Sequence, residues 1–277
     1  MSKTLGDLVR RAKSALERAD IDDPAREARS LAGLAADVPS ARVSLSLDTP
    51  VSDKADARLR EFLAARAVRV PLSHITGSRA FYKHDFRVTP DVLDPRPETE
   101  TLVEAALTQP FDHLLDLGTG SGCILVSLLA ERPQSAGVGT DISPEALRIA
   151  AANAEDLQVS DRCLLLCSDW FDAVEGRFDL IVANPPYIAA DEIAGLAPEL
   201  SHEPRGALTD EGDGLSAYRA IVPGATEHLH LGGRLLVEIG WQQGATVRDL
   251  FAQSGFSDIT IMHDLDGRDR VVGGNWT

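Results

Sequence analysis

Apolar residues recur with the spacing of an amphipathic α-helix through roughly the first seventy residues of the chain. In the first predicted helix these residues share one face: Leu5, Leu8, Val9, Ala12, Ala15 and Leu16. Asp23-Pro24 indicates the start of a second helix, because a proline in the first helical turn gives up no intrahelical hydrogen bond. Another apolar stripe follows Ser52 and contains Leu59, Phe62 and Leu63. We therefore expect residues 1–72 to form a small helical domain.

The pattern changes after this segment, where aromatic and β-branched residues replace the helical period. These residues are Phe81, Tyr82, Phe86, Val88, Val92 and Leu93. Gly77 and Pro90 punctuate the stretch, which predicts a short β-hairpin. We expect residues 73–96 to link two domains. A helix is predicted over Glu98–Leu107, because its acidic first turn suits the positive end of the helix dipole.

From residue 111 onward, short apolar runs alternate with helix-length segments. The runs are HLLDLG, AGVGTDI, CLLLCSDW, FDLIVANPP and GGRLLVEIG. This alternation predicts βαβ units, and hence a mainly parallel sheet with helices on both faces. SDITIMHDL and DRVVGGNW lie too close together for a helix between them, so they predict an antiparallel pair at the end. Residues 97–277 are therefore expected to form one α/β domain.

The composition is that of an ordinary globular protein, with 44% hydrophobic and 25% charged residues among 277. The formal net charge is −16 and no Lys/Arg run exceeds Arg10–Arg11, so we expect no direct nucleic-acid binding. Cys123, Cys163 and Cys167 show no metal-ligand spacing, which predicts no metal site and a reducing compartment. Neither a signal-peptide pattern nor a membrane-length apolar run is visible, so a cytoplasmic protein is expected.

A glycine-rich loop lies between a predicted strand and a predicted helix. Its residues are Gly118, Thr119, Gly120, Ser121 and Gly122. Glycines let a ligand approach the backbone, and the helix N-terminus offers free N–H groups. Asp141 ends the next strand about 20 residues further on, where a carboxylate can accept both hydroxyls of a ribose. The sequence therefore predicts a nucleotide-like ligand.

Two features favour S-adenosylmethionine over a nicotinamide cofactor. The loop has the spacing G-x-G-x-G rather than G-x-G-x-x-G, and Asp116 ends the strand just before it. A carboxylate at the mouth of the loop would repel a pyrophosphate, whereas it suits a sulfonium and an ammonium group. Trp170 follows Asp169 at the end of another predicted strand, so it can reach the adenine of a ligand at this edge of the sheet.

The apolar segment Phe178–Ala183 ends abruptly in Asn-Pro-Pro-Tyr, residues 184–187. Pro185 forces Asn184 into an extended conformation, and neither Pro185 nor Pro186 carries an N–H. The Asn184 side-chain oxygen and the Pro185 carbonyl can then accept both hydrogens of one NH₂ group. Such binding orients a conjugated nitrogen toward an electrophilic methyl group, while Tyr187 can stack on the flat group. The motif predicts methyl transfer to an amide or to the amino group of an aromatic base.

The chain resembles the HemK-type protein-glutamine N5-methyltransferases, which act on peptide chain release factors. The resemblance rests on PRPETE at 95–100, DLGTGSG at 116–122, SDWF at 168–171, NPPYI at 184–188, HEPRGAL at 202–208, GDGL at 212–215 and EIGWQQG at 238–244. The PRPETE and EPRGAL blocks are far more specific than the glycine loop. Asp94 departs from the family pattern, which usually has an apolar residue at this position.

The resemblance implies a helical N-terminal domain that docks the substrate, a β-hairpin linker and a seven-stranded Rossmann-like class I methyltransferase domain. It implies a monomer that binds S-adenosylmethionine through the glycine loop, Asp141, Trp170 and Asn184. It also implies that the glutamine of a Gly-Gly-Gln motif in release factors is held by four residues: Asn184, Pro185, Pro186 and Tyr187.

Two other functions stay open at this point. A nucleic-acid adenine-N6 methyltransferase is the main alternative, because adenine presents the same pair of amino hydrogens, although such an enzyme has to flip its base. A cofactor-binding scaffold without catalysis is the other, and it predicts that Asn184→Ala changes no methyl-transfer rate. The role of Arg96 and Glu98 also stays open between a site near the crevice and a salt bridge in the linker.

Overall fold

The computed structural model describes residues 3–277. Its residues form two compact units. The first unit comprises the chain up to Gly77 together with Ala197–His202, and the second comprises Ser78–Leu196 together with Glu203–Thr277. No helix within residues 3–277 combines the length and the apolarity that a bilayer crossing requires.

The first unit is helical, as the apolar periodicity predicts. Its helices are α1 (Leu5–Arg18), α2 (Pro24–Ala35), α3 (Asp53–Ala67) and α4 (Leu72–Thr76), with a 3₁₀ helix at Ser40–Leu45. Thr4 and Asp7 form a capping box at the start of α1, and Asp23 caps α2 directly before Pro24. The apolar faces meet in one core, which includes Leu5, Leu8, Leu16, Leu31 and Leu59.

The second unit begins with an antiparallel hairpin of β1 (Ser78–Phe81) and β2 (His84–Arg87). Both strands fall within the linker expected over residues 73–96. The residues directly before them form α4 rather than extended chain. Pro71 precedes this helix and Gly77 ends it in the left-handed conformation, which accounts for the difference.

A seven-stranded sheet forms the rest of the second unit. Its strands are β3 (His113–Leu117), β4 (Ala136–Asp141), β5 (Cys163–Cys167), β6 (Phe178–Ala183), β7 (Leu229–Glu238), β8 (Ser257–His263) and β9 (Asp269–Asn275). The helices are α5 (Glu100–Leu107, after a 3₁₀ turn at Pro97–Thr99), α6 (Cys123–Glu131), α7 (Pro144–Asp156), α8 (Ser216–His228) and α9 (Gly244–Gln253). The predicted Rossmann-like α/β fold is confirmed, including the antiparallel pair of β8 and β9.

The strand order is β5-β4-β3-β6-β7-β9-β8, so the chain changes direction along the sheet between β3 and β6. In open α/β sheets, ligands bind outside the carboxyl ends of the strands at such a switch point. Leu117 of β3 pairs with Thr140 of β4 on one side and with Ala183 of β6 on the other. The segments that follow these three residues are therefore neighbours in space.

Candidate active site

The carboxyl ends of β3 to β6 border a cavity of about 320 Å³, within the size range of small-molecule sites. Nine of the predicted cofactor- and substrate-binding residues lie in its wall: Gly118, Thr119, Gly120, Ser121, Asp141, Trp170, Asn184, Pro185 and Pro186. Gly122 and Tyr187 are not part of the wall. The structure therefore brings the glycine loop, the acid of β4 and the Asn-Pro-Pro segment to one cavity.

The glycine loop exposes its backbone to this cavity through left-handed residues. Gly118 and Gly120 have φ angles of 69° and 56°, in a region that favours glycine. A Cβ on Gly120 would meet no atom within 4 Å, so the space beside it is open to a ligand. Gly122 serves packing instead, because a Cβ there would lie 3.1 Å from the Cβ of Ala150 in α7.

Asp141 uses both carboxylate oxygens to hold the segments around it. Its Oδ2 accepts the Gly120 N–H at 2.9 Å, and its Oδ1 accepts the Ser143 N–H at 2.9 Å. Each oxygen retains a second lone pair, so two acceptor sites stay available for a pair of hydroxyl groups. The neighbouring Ile142 lines the cavity with a side chain that is 71% exposed, which offers an apolar surface to a ligand.

Trp170 flanks the glycine loop in an unusual backbone conformation. Its φ of 43° is left-handed, which is uncommon for a large side chain and is often found at functional sites. The Ser168 hydroxyl donates to the Trp170 carbonyl at 3.1 Å and accepts the Ala173 N–H at 2.9 Å, so it holds this turn. A Cβ on Gly118 would lie 3.6 Å from the indole ring. The contact of Trp170 with adenine stays a prediction.

Asp116 does not lie at the mouth of the glycine loop, and the prediction that it faces a cationic ligand is wrong. Its side chain is fully buried and lies outside the cavity wall. Burial raises the pKa of Asp116 to about 7, although the Thr119 hydroxyl donates to its Oδ2 at 2.6 Å and opposes that rise. The physical reason is the central position of β3, because both faces of a central parallel strand are covered by helices.

In the side-chain amide of Asn184, the nitrogen has a hydrogen-bond partner and the oxygen has none within residues 3–277. Its Nδ2 donates to the Thr99 hydroxyl at 3.3 Å. Its Oδ1 is buried and has no hydrogen-bond partner within residues 3–277. An unmet buried acceptor is rare and costly in a native structure. Asn184 and Pro185 line the cavity side by side.

Tyr187 lies behind the cavity wall. Its hydroxyl donates to Glu238 Oε1 at 3.3 Å, and its ring packs against the apolar cluster on that side of the sheet. Burial raises the pKa of Glu238 to about 7, while hydrogen bonding from Thr99 and the charge of Arg270 oppose the rise. Tyr187 is thus held by its hydroxyl at the buried carboxylate, and its stacking on a bound amide stays a prediction.

The backbone of the Asn-Pro-Pro-Tyr segment is held by residues that the sequence did not single out. Gln243 Nε2 donates to the carbonyls of Tyr187 at 2.9 Å and Gly214 at 3.2 Å, and its Oε1 accepts the Gly240 N–H at 2.9 Å. Gly214 has a φ of 72°, and a Cβ there would lie 2.3 Å from the Tyr187 carbonyl oxygen. Both residues lie within the blocks GDGL and EIGWQQG, but only the fold shows what they contact.

Asp94, directly before the PRPETE block, and Arg96 within the block belong to an ionic cluster. Arg96 lines the cavity and pairs with Glu203, whose side chain is 1% exposed. Glu203 also accepts the Asp94 backbone N–H at 3.2 Å. Asp94 is buried, and its carboxylate oxygen Oδ2 lies 3.7 Å from the guanidinium nitrogen Nη1 of Arg79. An ion pair therefore replaces the apolar packing usual at this position. Glu98 is exposed.

Comparison with known protein families gives two matches. Residues 7–77 match the family described as PrmC N-terminal domain. Residues 93–215 match the family described as Methyltransferase small domain.

Curated relatives align along nearly the whole chain. A protein from Cereibacter sphaeroides, named release factor glutamine methyltransferase, is 54% identical over 267 residues, which cover 96% of each chain. A protein of the same name from Caulobacter vibrioides is 41% identical over 278 residues, which cover 98% of this chain and 96% of the relative. The solved structure of a methyltransferase from Pyrococcus furiosus shares the fold, with a TM-score of 0.55 at 16% identity over 79% of this chain and 98% of that one.

Proposed function

Because this chain belongs to the family of release factor glutamine methyltransferases, we propose that it methylates a glutamine side chain of peptide chain release factors. The methyl group goes to the amide nitrogen of the glutamine in their Gly-Gly-Gln motif. The observation that carries the proposal is Asn184 in the cavity wall beside Pro185, with an Oδ1 that has no hydrogen-bond partner within residues 3–277. A nitrogen with two hydrogens fits such a pair of acceptors.

The residues of the cavity fit S-adenosylmethionine as the methyl donor. The open space beside Gly120 admits a ligand to the backbone. Asp141 retains two acceptor sites for ribose hydroxyls. Ile142 and Trp170 offer apolar surface at the same edge of the cavity. We propose that these residues, together with the rest of the glycine loop and Asn184, hold the cofactor.

The chain's contribution to the reaction is to hold the glutamine nitrogen in one orientation. When bound, S-adenosylmethionine supplies an electrophilic methyl group, so the nitrogen gains a carbon and a neutral thioether is left. Asn184 Oδ1 and the Pro185 carbonyl accept the two amide hydrogens. Pro185 and Pro186 have no N–H, so neither competes for these acceptors. Positioning of this kind is worth up to roughly 7–11 kcal/mol of barrier in favourable cases.

The nitrogen has to lose one proton as it gains the methyl group. The acidity of this proton rises steeply as positive charge develops on the nitrogen, so a neutral acceptor such as Asn184 Oδ1 suffices to pass it to water. The buried carboxyl groups of Asp116 and Glu238 lie outside the cavity wall. The mechanism therefore assigns neither of them the role of general base.

The partner in this reaction is a release factor. We propose that residues 1–72 dock it, that residues 73–96 serve as a linker, and that residues 97–277 carry the chemistry. We also infer that the protein acts as a monomer in the cytoplasm, where release factors work. Light scattering of the purified chain tests the oligomeric state, and binding of a release factor to a variant without residues 1–72 tests the docking role.

Incubation with methyl-labelled S-adenosylmethionine and a full-length release factor tests the function. The expected product carries one methyl group on the glutamine of Gly-Gly-Gln, located by tandem mass spectrometry. A release factor with alanine in place of that glutamine is the matched control and should gain none. Methyl transfer to DNA or RNA instead would support the adenine-N6 alternative. Cofactor binding without transfer to a release factor would contradict the proposal.

A further inference from the structure

The side-chain amide of Asn184 fits its site in two orientations of nearly equal shape and opposite chemistry. With Oδ1 toward the cavity, it accepts a hydrogen from a substrate NH₂ group. With Nδ2 toward the cavity, it would set one donor against another. The structure has Nδ2 bonded to Thr99, which leaves Oδ1 for a ligand. Methyl transfer therefore depends on whatever selects this orientation.

Thr99 cannot make the selection alone, because a hydroxyl group both donates and accepts. Thr99 is only 2% exposed, so its protein neighbours rather than water determine whether its hydroxyl donates to Asn184 or accepts from it. The second polar neighbour of its hydroxyl is Glu238: Thr99 lowers the pKa of Glu238, although no hydrogen bond of standard geometry joins the two side chains within residues 3–277. An ionised carboxylate accepts hydrogen bonds and never donates them, so beside it the Thr99 hydroxyl acts as the donor. The lone pairs of Thr99 then face Asn184, and only Nδ2 can bond to them.

The sheet brings the three side chains together from distant parts of the chain. Val237, the residue before Glu238, pairs with Ala183, the residue before Asn184. Thr99 ends the 3₁₀ turn that leads into α5.

Glu238 is nearly fully buried, at 1% exposure. Tyr187 donates to its Oε1. Its Oε2 has no partner of standard geometry within residues 3–277, so it can accept a hydrogen bond from Thr99.

We propose that Thr99 and Glu238 are positioning residues, which hold Asn184 with its Oδ1 toward the glutamine amide. This inference rests on the proposed function, because it assigns the two residues to the same reaction. Both act through Asn184 rather than on the reacting atoms. Arg270 lies close enough to Glu238 for its charge to favour the ionised, accept-only form.

A matched pair of variants at Thr99 tests the proposal in the free protein. Thr99→Val keeps the shape of the side chain without its hydroxyl, and Thr99→Ser keeps the hydroxyl. NMR of the Asn184 side-chain NH₂ group, assigned with Asn184→Asp, needs neither substrate nor cofactor. We expect these protons to exchange with water at least about tenfold faster in Thr99→Val than in wild type or Thr99→Ser. Equal exchange rates in all three proteins would overturn the proposal.

Kinetics on a release factor give the second readout. Thr99→Val and Glu238→Gln should lower kcat by roughly tenfold or more, with the Kd for S-adenosylmethionine within about threefold of wild type by calorimetry. Thr99→Ser should restore kcat. Equal losses of kcat and cofactor affinity would indicate general distortion and overturn the proposal. A wild type that transfers no methyl group would contradict the proposed function, while the NMR comparison would still decide the positioning role.

Discussion

Asn184 provides an amide oxygen to which no donor within residues 3–277 is bonded. The partner at Thr99 keeps the amide in place. A glutamine NH₂ group can donate to this oxygen, whereas a glutamate of the same shape brings no hydrogens. The same atom therefore supports both orientation of the nitrogen and discrimination between glutamine and glutamate.

Replacement of Asn184 by alanine should lower kcat/KM for the release factor by roughly 100- to 1,000-fold, the usual effect of losing one preorganised polar contact. The Tm should fall only slightly, because within residues 3–277 the removed amide has one hydrogen bond, the 3.3 Å contact of Nδ2 with Thr99, and its oxygen has none. Steady-state methyl transfer and thermal unfolding measure the two effects. A rate within about threefold of wild type would contradict the role proposed for Asn184.

The sequence predicted that Asn184 lies at the cavity, and it wrongly placed Asp116 at the mouth of the glycine loop. Proline acts on its immediate neighbours, so the geometry of Asn184 and Pro185 follows from local sequence alone. Whether Asp116 lies at the loop mouth or inside the protein depends on the helices that cover β3, and those helices are distant in sequence. The hydrogen bond from Tyr187 to Glu238 likewise joins segments distant in sequence, so the sequence could not show it.

At the level of elements, the site is made by the register of parallel strands. Leu117, Ala183 and Val237 are lateral neighbours in β3, β6 and β7, so the segments after them begin side by side. The sequence pattern predicted the hairpin and the seven strands of the sheet, but it did not predict α4. It could not give the order of the strands, which depends on how the helices pack and how the chain crosses over. The contact of Thr99 with Asn184 was therefore not predicted.

The loop that holds the Asn-Pro-Pro-Tyr segment has no room for a side chain at Gly214. Gly214→Ala should lower stability by roughly 2 kcal/mol or more and reduce activity, because its Cβ would overlap the Tyr187 carbonyl in a left-handed backbone. Gly195→Ala is the matched control, since a Cβ there meets no atom within 4 Å. Urea unfolding and methyl transfer compare the two. Equal effects at both positions would contradict this explanation.

The groups that face Glu238 determine how its charge depends on pH. Burial raises its pKa to about 7, and its neighbours are Thr99, Arg270, Tyr187 and Glu98. Burial also raises the pKa of the Tyr187 hydroxyl far above neutrality, and Arg270 has a raised pKa as well, so neither changes charge near pH 7. The ionisation of Glu238 is therefore the event in this cluster that we expect near neutrality.

The kcat of methyl transfer should rise several-fold from about pH 6 to about pH 8. Protonated Glu238 can donate to Thr99, so the selection of the Asn184 orientation is lost on the acid side and regained when Glu238 ionises. The rise should be absent in Glu238→Gln. It should persist in Asp116→Asn, a control whose carboxyl group titrates in the same range outside the cavity. A full rise in Glu238→Gln would contradict the account.

At the scale of the whole molecule, the chain combines a net charge of −16 with two buried carboxyl groups of raised pKa. Asp116 and Glu238 both sit at the carboxyl end of the sheet, in strands β3 and β7. Burial holds the proton on each group up to about pH 7, whereas the unfolded chain releases it at lower pH. Each group therefore lowers the stability of the fold as pH rises. Functional sites commonly contain such groups at a cost in stability.

Asp116→Asn should stabilise the protein increasingly as pH rises. Between about pH 4 and pH 7 the unfolded chain releases the Asp116 proton while the folded chain keeps it, so wild type loses stability until pH exceeds the folded pKa of about 7. The difference in free energy of unfolding between variant and wild type should grow by up to roughly 4 kcal/mol over this range. Urea unfolding at each pH measures it. A constant difference would disprove the assignment.

A crystal structure of the protein with S-adenosylhomocysteine and a release factor tests the central claim most directly. The glutamine side-chain nitrogen of Gly-Gly-Gln should lie within about 3 Å of both Asn184 Oδ1 and the Pro185 carbonyl oxygen. A glutamine nitrogen bound elsewhere, or an Asn184 that turns its Nδ2 toward the substrate, would contradict the account.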